Sequence, residues 1–296
     1  MAGWDGNEGR IDALLRKEAR QYRRLAWAGW LIVVPLLLLA WEITANLLEQ
    51  PWILPSFHAV LGILLQPLAD HYATGSLVTH TMVSVIRVLI GFTLAAVAGV
   101  ILGLLMGGVR TLRCLLEPVI ELLRPLCPIA WMPFAIAVFK LRTVSELFGG
   151  GRHTGTIFDS VQLGMVFVLF WGAFFPIVLN TLDGVGGVRR NYIALARVLG
   201  AGRRQLFAHV YLPAALPMIL TGLRQGVGIC WFVIIAAEML PGAGNGIGYL
   251  LMYAADQSDM AVVVAAMLVI AAVGALFNAL MLASMHVFVQ WHGKEF

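Results

Sequence analysis

The sequence predicts an all-α protein that crosses a membrane repeatedly. Three observations lead there: hydrophobic residues make up 60% of the 296 and charged residues 12%, the apolar residues gather into long runs, and Lys and Arg concentrate between alternate runs. A soluble domain carries about 25% charged and roughly 45–50% apolar residues, and a soluble fold of this size has too little interior to hide the excess. The net charge of +4 lies between apolar runs, which ties it to membrane topology rather than to nucleic acid.

Crossing a hydrocarbon core of ~30 Å takes about 20 apolar residues. Six runs qualify, at residues 25–48, 81–106, 114–139, 162–182, 213–240 and 259–289. The first follows a basic stretch but is too long for a signal-peptide core of about 7–15 residues, and no clear cleavage site follows, so it is expected to be retained. The domain plan is then a basic tail at 1–24, a membrane domain at 25–289 with a long loop at 183–212, and a tail at 290–296. Fourteen Lys and Arg fall on the side of the two tails and that loop, and three (Lys140, Arg142 and Arg152) on the other. The positive-inside rule places both termini and the loop in the cytoplasm. Residues 51–76 contain no Lys or Arg, and their short apolar stretch at 60–65 suits the outer interface.

Several elements point to packing rather than chemistry. Gly91, Ala95, Gly99, Gly103 and Gly107 recur every fourth residue, a face on which two backbones can approach closely in lipid. Gly222, Gly226 and Cys230 repeat the pattern in the fifth run. The third run carries Pro118, Pro125, Pro128 and Pro133 and the fourth Pro176. Each interior proline frees a carbonyl that must find a partner in protein or beside a cavity. Cys114, Cys127 and Cys230 have neither disulfide nor metal-ligand spacing and read as small packing residues.

The most informative segment lies between the fourth and fifth runs. Two short helical pieces flank Gly200, which suits the left-handed turn at a helix end. Pro213 suits the first turn of the next span. Counting from Gly200, nine residues precede Val210, Tyr211, Leu212 and Pro213. This segment resembles the EAA loop of binding-protein-dependent ABC importers, with Gly200 as the central glycine, Val210-Tyr211-Leu212-Pro213 as its I-x-L-P and Ala196 as the last alanine of its opening. Ala194 stands in place of the motif's Glu and Leu195 in place of its middle Ala. The stretches SVIRVLIGF (84–92), LEPVIELLRPLCPIAWMPF (116–134), PAALPMILTGLRQGVG (213–228) and AAEML…GIGYLL (236–251) are similar to the nitrate/sulfonate/taurine permease group, and the ending WHGKEF to taurine permeases. The segment at 140–160 departs from that group.

The resemblance implies a coupling helix that docks on a cytoplasmic ATPase, offering Leu206 and Phe207 as apolar knobs with Arg203 and Arg204 at the rim. It also implies a homodimer in a bacterial inner membrane, two ATP-binding subunits that hold the ATP and Mg, a periplasmic solute-binding protein and a small anionic solute. The chain itself is expected to be neither an enzyme nor cofactor-bound, with no metal site. The alternative is a secondary transporter or channel independent of an ATPase, which calls for an internal repeat that the sequence lacks.

Charges inside spans face a partner or a wet cavity. Glu121 and Arg124 are three apart, on one helix face, and suited to pair. Arg87 reads as structural or interfacial. Arg224 and Glu238 could mark opposite ends of a passage, Arg224 either attracting an anion or closing a salt bridge. Trp131 and Trp231, both in mid-span, are candidates for an aromatic gate or for ordinary core. The pathway set is therefore Glu121, Arg124, Trp131, Arg224, Trp231 and Glu238.

Overall fold

The computed structural model describes residues 29, 32–140, 142–147 and 157–288, without the side chains of 147, 157, 158, 190, 203 and 288. The two predicted tails fall outside the described residues, as do parts of 140–160. Helices run in the order α1 Ile32–Leu48, α2 Phe57–Leu65, α3 Leu77–Gly108, α4 Arg110–Leu123, α5 Met132–Phe139, α6 Val144–Leu147, α7 Leu163–Gly186, α8 Arg190–Val198, α9 Arg203–Leu206, α10 Leu212–Glu238, α11 Ile247–Asp256 and α12 Met260–Phe288. Helix α3, α7, α12 and a continuous helix over Arg204–Glu238 are each long and apolar enough to span. The first expected span is represented by the shorter apolar helix α1.

Helix α7 is the central element, with 56% of its apolar window buried against 28% in α3 and α12. Its seam with α3 is built on the predicted small residues. A side chain at Gly91, Gly99, Gly103 or Gly107 would collide with Leu169, Ile177, Thr181 or Val185, each pair offset by 78 residues. A constant offset of that sign means that α3 and α7 run parallel. The opposite face of α7 meets α10, where Gly184 abuts Ala215 and Gly222 abuts Pro176 and Asn180. Those partners run in opposite order, so α10 is antiparallel to α7. Helix α12 is antiparallel to α10 in turn, with Arg224 Nε donating to Asn278 Oδ1 at 2.8 Å and Trp231 Nε1 to the Ile270 carbonyl at 3.0 Å.

Because α3 and α7 are parallel, the chain between them has to recross the bundle. It does so through α4 and a 3₁₀ turn at Pro128–Trp131 that runs into α5. The third span is thus not one helix over 114–139: its halves, Arg110–Leu123 and Pro128–Phe139, meet at 89°. Of its prolines only Pro118 lies inside a helix, while Pro128 and Pro133 sit in first turns, where a missing N–H is harmless. Gly164 rests near Ala135, which returns α5 to the start of α7.

The start of the fifth span also differs from expectation. Pro213 does not open a new helix there, since the helix runs on from α9 through a π-helical turn at Phe207–Tyr211. The Leu212 N–H reaches the Phe207 carbonyl, five residues back. The wider turn absorbs a proline that would otherwise break the ladder.

The α3–α7 seam yields a direct test. Gly103→Val is expected to destabilise the protein by about 1–3 kcal/mol through overpacking, read as a lower denaturation midpoint in detergent. Gly62→Ala, inside α2 where a new Cβ meets nothing within 4 Å, should instead raise stability by up to about 1 kcal/mol.

Candidate functional site

Two polar sites interrupt the apolar bundle. The first is a sealed network at the far end, remote from the basic loop. Arg87 on α3 and Glu238 at the end of α10 form a 2.7 Å ion pair with both side chains 0% exposed. The Ser84 hydroxyl lies 2.8 Å from both Glu238 oxygens, and the Gly248 N–H donates to Oε2 at 3.0 Å. Arg87 donates through Nε and Nη2 to the Ser160 carbonyl and through Nη1 to the Asn245 carbonyl at 2.8 Å, and its Nη2 also meets Asn245 Oδ1. Asn245 Nδ2 donates to Ser160 Oγ at 2.8 Å. The Gly246 N–H donates to His80 Nδ1 at 3.1 Å. Gly246 has φ +112°, and a side chain there would strike the Glu238 carboxylate. In lipid every such group needs an internal partner, and nearly every donor and acceptor here has one.

Glu238 is therefore enclosed by Arg87 rather than open to a passage. The network ties α3, α10, the 239–246 turn and Ser160 before α7 into one rigid end. Beside it, Tyr72 Oη donates to Asp259 Oδ2 at 2.6 Å. Burial first, and then that carboxylate, push the Tyr72 phenol above its ordinary range.

The second site is a cavity of about 520 Å³ between α4, α7 and α10, open toward the basic end. Its polar wall combines Glu117, Glu121 and Arg124 from α4, Asn180 and Asp183 from α7, and Gln225 from α10. Glu121 and Arg124 do not pair with each other. Arg113 instead forms a two-pronged contact with Glu117 one turn on, at 3.0 and 3.1 Å. Glu121 and Arg124 are both exposed on the cavity wall, where pairing gains little. Asn180 Nδ2 donates to the Pro176 carbonyl at 2.7 Å and to Gln225 Oε1 at 3.0 Å, holding α7 to α10 at the cavity wall.

Aromatic rings crowd the deep end of this cavity. Trp131 stacks obliquely on Trp171 with centroids 4.9 Å apart and meets Phe134 and Phe167 edge-on. Trp231 does not join them. It lies on another face of α10, 4% exposed, against Phe277. Within one chain the two tryptophans form no common collar. Arg224 is with Trp231, on the wall of a separate apolar groove.

At the basic end, α8 and α9 form a helical hairpin. Gly200 takes φ +81° with open space around it, and the Ala201 N–H closes on the Ala196 carbonyl at 2.9 Å. The Gly202 N–H is capped by Gln205 Oε1 at 3.0 Å. The exposed apolar residues are Tyr192, Leu195, Val198 and Leu199, all more than half exposed. Leu206, expected as a surface knob, is buried, and Phe207 is half-buried with its ring near Gly108. The Phe207 ring thus lies against the end of α3. Arg204, Leu212 and Pro213 are exposed and Val210 is half-buried; the Arg203 side chain lies outside the described residues.

Sequence reasoning did not identify Ser84, Ser160 and Asn245 around the ion pair, or Asn180, Asp183 and Gln225 at the cavity. For Ser84, Asn180 and Gln225 the available signal was a polar side chain inside an apolar run. Asn245 and Ser160 lie in loops and gave none.

A helical membrane bundle with a sealed far end, a wet cavity and an exposed apolar hairpin on its basic end is the architecture of a transport permease. The chain belongs to the family described as binding-protein-dependent transport system inner membrane component, whose model matches residues 95–292, and within it to the nitrate/sulfonate/taurine group of ABC importer permeases. It is 42% identical over 238 residues (80% of this chain, 82% of the relative) to a putative ABC transporter permease protein of Methanocaldococcus jannaschii. It is 33% identical to a nitrate import permease protein of Synechocystis (83% and 84% covered). It is 30% identical to the taurine transport system permease protein of Escherichia coli (95% and 99% covered).

Two tests address the far end. Glu238→Gln, which leaves Arg87 buried without a counter-charge, should cost about 3–5 kcal/mol of stability, and Arg87→Met with Glu238→Leu together should recover most of it. For Tyr72, the neutral hydrogen-bonded phenol stabilises the fold below pH about 10 and its contribution fades as pH rises toward the elevated folded value. Tyr72→Phe is expected to remove that alkaline loss in a denaturation series from pH about 8 upward.

Proposed function

We propose that the chain forms half of a homodimeric translocation pathway for a small anion of the nitrate, sulfonate/taurine or bicarbonate class, driven by a separate ATPase. The observation that carries this reading is the exposed apolar face of α8, made by Tyr192, Leu195, Val198 and Leu199, on a hairpin joined without a break to α10. Such a helix fits a groove on a partner protein. Through the continuous helix, a push on the hairpin is delivered to Gln225 and Ile229 at the cavity wall. Two ATP-binding subunits that close on ATP would move two hairpins and rock the bundles between outward and inward states. ATP and its Mg would sit on those subunits. The basic end faces the cytoplasm in accordance with the positive-inside rule, and a periplasmic binding protein delivers solute to the far end.

In this reading the pathway wall is the 520 Å³ cavity, with Glu121 and Arg124 on it, Trp131 behind it against Trp171, and Arg224, Trp231 and Glu238 away from it. The anion class rests on the relatives' names, a nitrate import permease and a taurine permease among them.

Leu195→Asp with Val198→Asp is expected to abolish co-purification with the ATPase and to reduce uptake at least about tenfold, while the bundle keeps its denaturation midpoint. Retained partner binding by that variant would remove the coupling assignment. A ligand screen on the cognate binding protein is expected to return a small oxyanion or sulfonate, and a cationic or sugar ligand would overturn the substrate class.

A further inference from the structure

A second cavity, of about 660 Å³, lies between α10, α11 and α12. Its wall is almost wholly carbon, from Trp231, Phe232, Leu251, Ile270 and Phe277 among others, and Arg224 closes one end. Arg224 Nε is held by Asn278 Oδ1 at 2.8 Å, and its two terminal nitrogens have no partner among the described residues. A Cβ added at Gly228 would meet nothing within 4 Å, so the groove floor is open. Phe232 is 79% exposed on its rim, so the groove opens on the flank of the bundle.

The depth of the arginine decides what fits. Helix α12 begins at Met260, after Asp259. At 1.5 Å per residue, Asn278 lies about 27 Å from Met260, in the half of α12 nearer α8 and α9. Arg224, bonded to Asn278, lies in that same half of the bundle. From Arg224 to Ile235 the groove runs about 16 Å along α10, roughly one leaflet. A free anion would not use the carbon wall, and an uncharged hydrocarbon would not use the guanidinium. A phospholipid uses both.

We propose that this groove binds an anionic phospholipid of the leaflet on the α8 side, its phosphate on Arg224 and one acyl chain along Gly228, Trp231 and Ile270. The site is separate from the 520 Å³ cavity, and its occupancy does not depend on which solute is carried. A cation at one end of an apolar groove between spans recognises acidic lipid in this way.

The assembled transporter, purified in mild detergent and offered phosphatidylglycerol or phosphatidylcholine, provides the test by native mass spectrometry. Wild type is expected to retain phosphatidylglycerol roughly fivefold more than phosphatidylcholine, the preference a single interfacial cation gives. Arg224→Gln should erase the preference and Arg224→Lys restore it. Gly228→Leu, whose side chain occupies open space, should displace both lipids without lowering the denaturation midpoint. Equal retention of the two lipids by wild type, or an unchanged preference in Arg224→Gln, would overturn the proposal. So would a disulfide-linked dimer formed through Gly228→Cys, which would put a second copy of the chain in the groove.

Discussion

The close approach of α3 and α7 is the constraint on which the rest of the bundle rests. Gly91, Gly99, Gly103 and Gly107 leave no room for side chains beside Leu169, Ile177, Thr181 and Val185. In lipid, where burial of carbon gives no drive between helices, this intimacy supplies the attraction. It also sets direction. Two parallel neighbours oblige the chain to recross between them, and the crossing segment has to turn around a bundle already closed by α10.

The consequence is a broken span. Pro125 and Pro128 let α4 and α5 meet at 89°, so α4 keeps one face on the core through Ile120 while its charged face stands away from α10. The gap between those surfaces is the wet cavity. On its polar wall Glu121 and Arg124 stay exposed rather than enclosed by protein. At the far end the opposite solution operates: Ser84, Ser160, Asn245 and the Gly248 N–H complete the shell around Arg87 and Glu238. One end of the molecule is thereby stiff, while the end that carries α8 and α9 is tied in through a single continuous helix.

These two treatments of charge also separate the charged residues by role. Arg87 and Glu238 neutralise each other inside the core, and Arg113 holds Glu117 along α4. Among the described residues Arg124 and Arg224 keep free nitrogens, and they look in different directions, toward the polar cavity and toward the apolar groove. Neighbouring residues on α10 divide between these surfaces, Gln225 and Ile229 serving one and Arg224, Gly228 and Trp231 the other.

The amino-acid sequence alone determined the membrane class, four of the six expected spans, the small-residue seam and the turn at Gly200, because each depends on composition or on spacing along one helix. The motif around Gly200 likewise identified the family from contiguous residues. Only the tertiary structure decided which charges meet. Arg87 and Glu238 are 151 residues apart, while Glu121 and Arg124, three apart, stay separate, since pairing depends on what surrounds a charge rather than on its distance along the chain. The same reason explains Leu206: its surroundings in the fold bury it and leave the face of α8 as the exposed one.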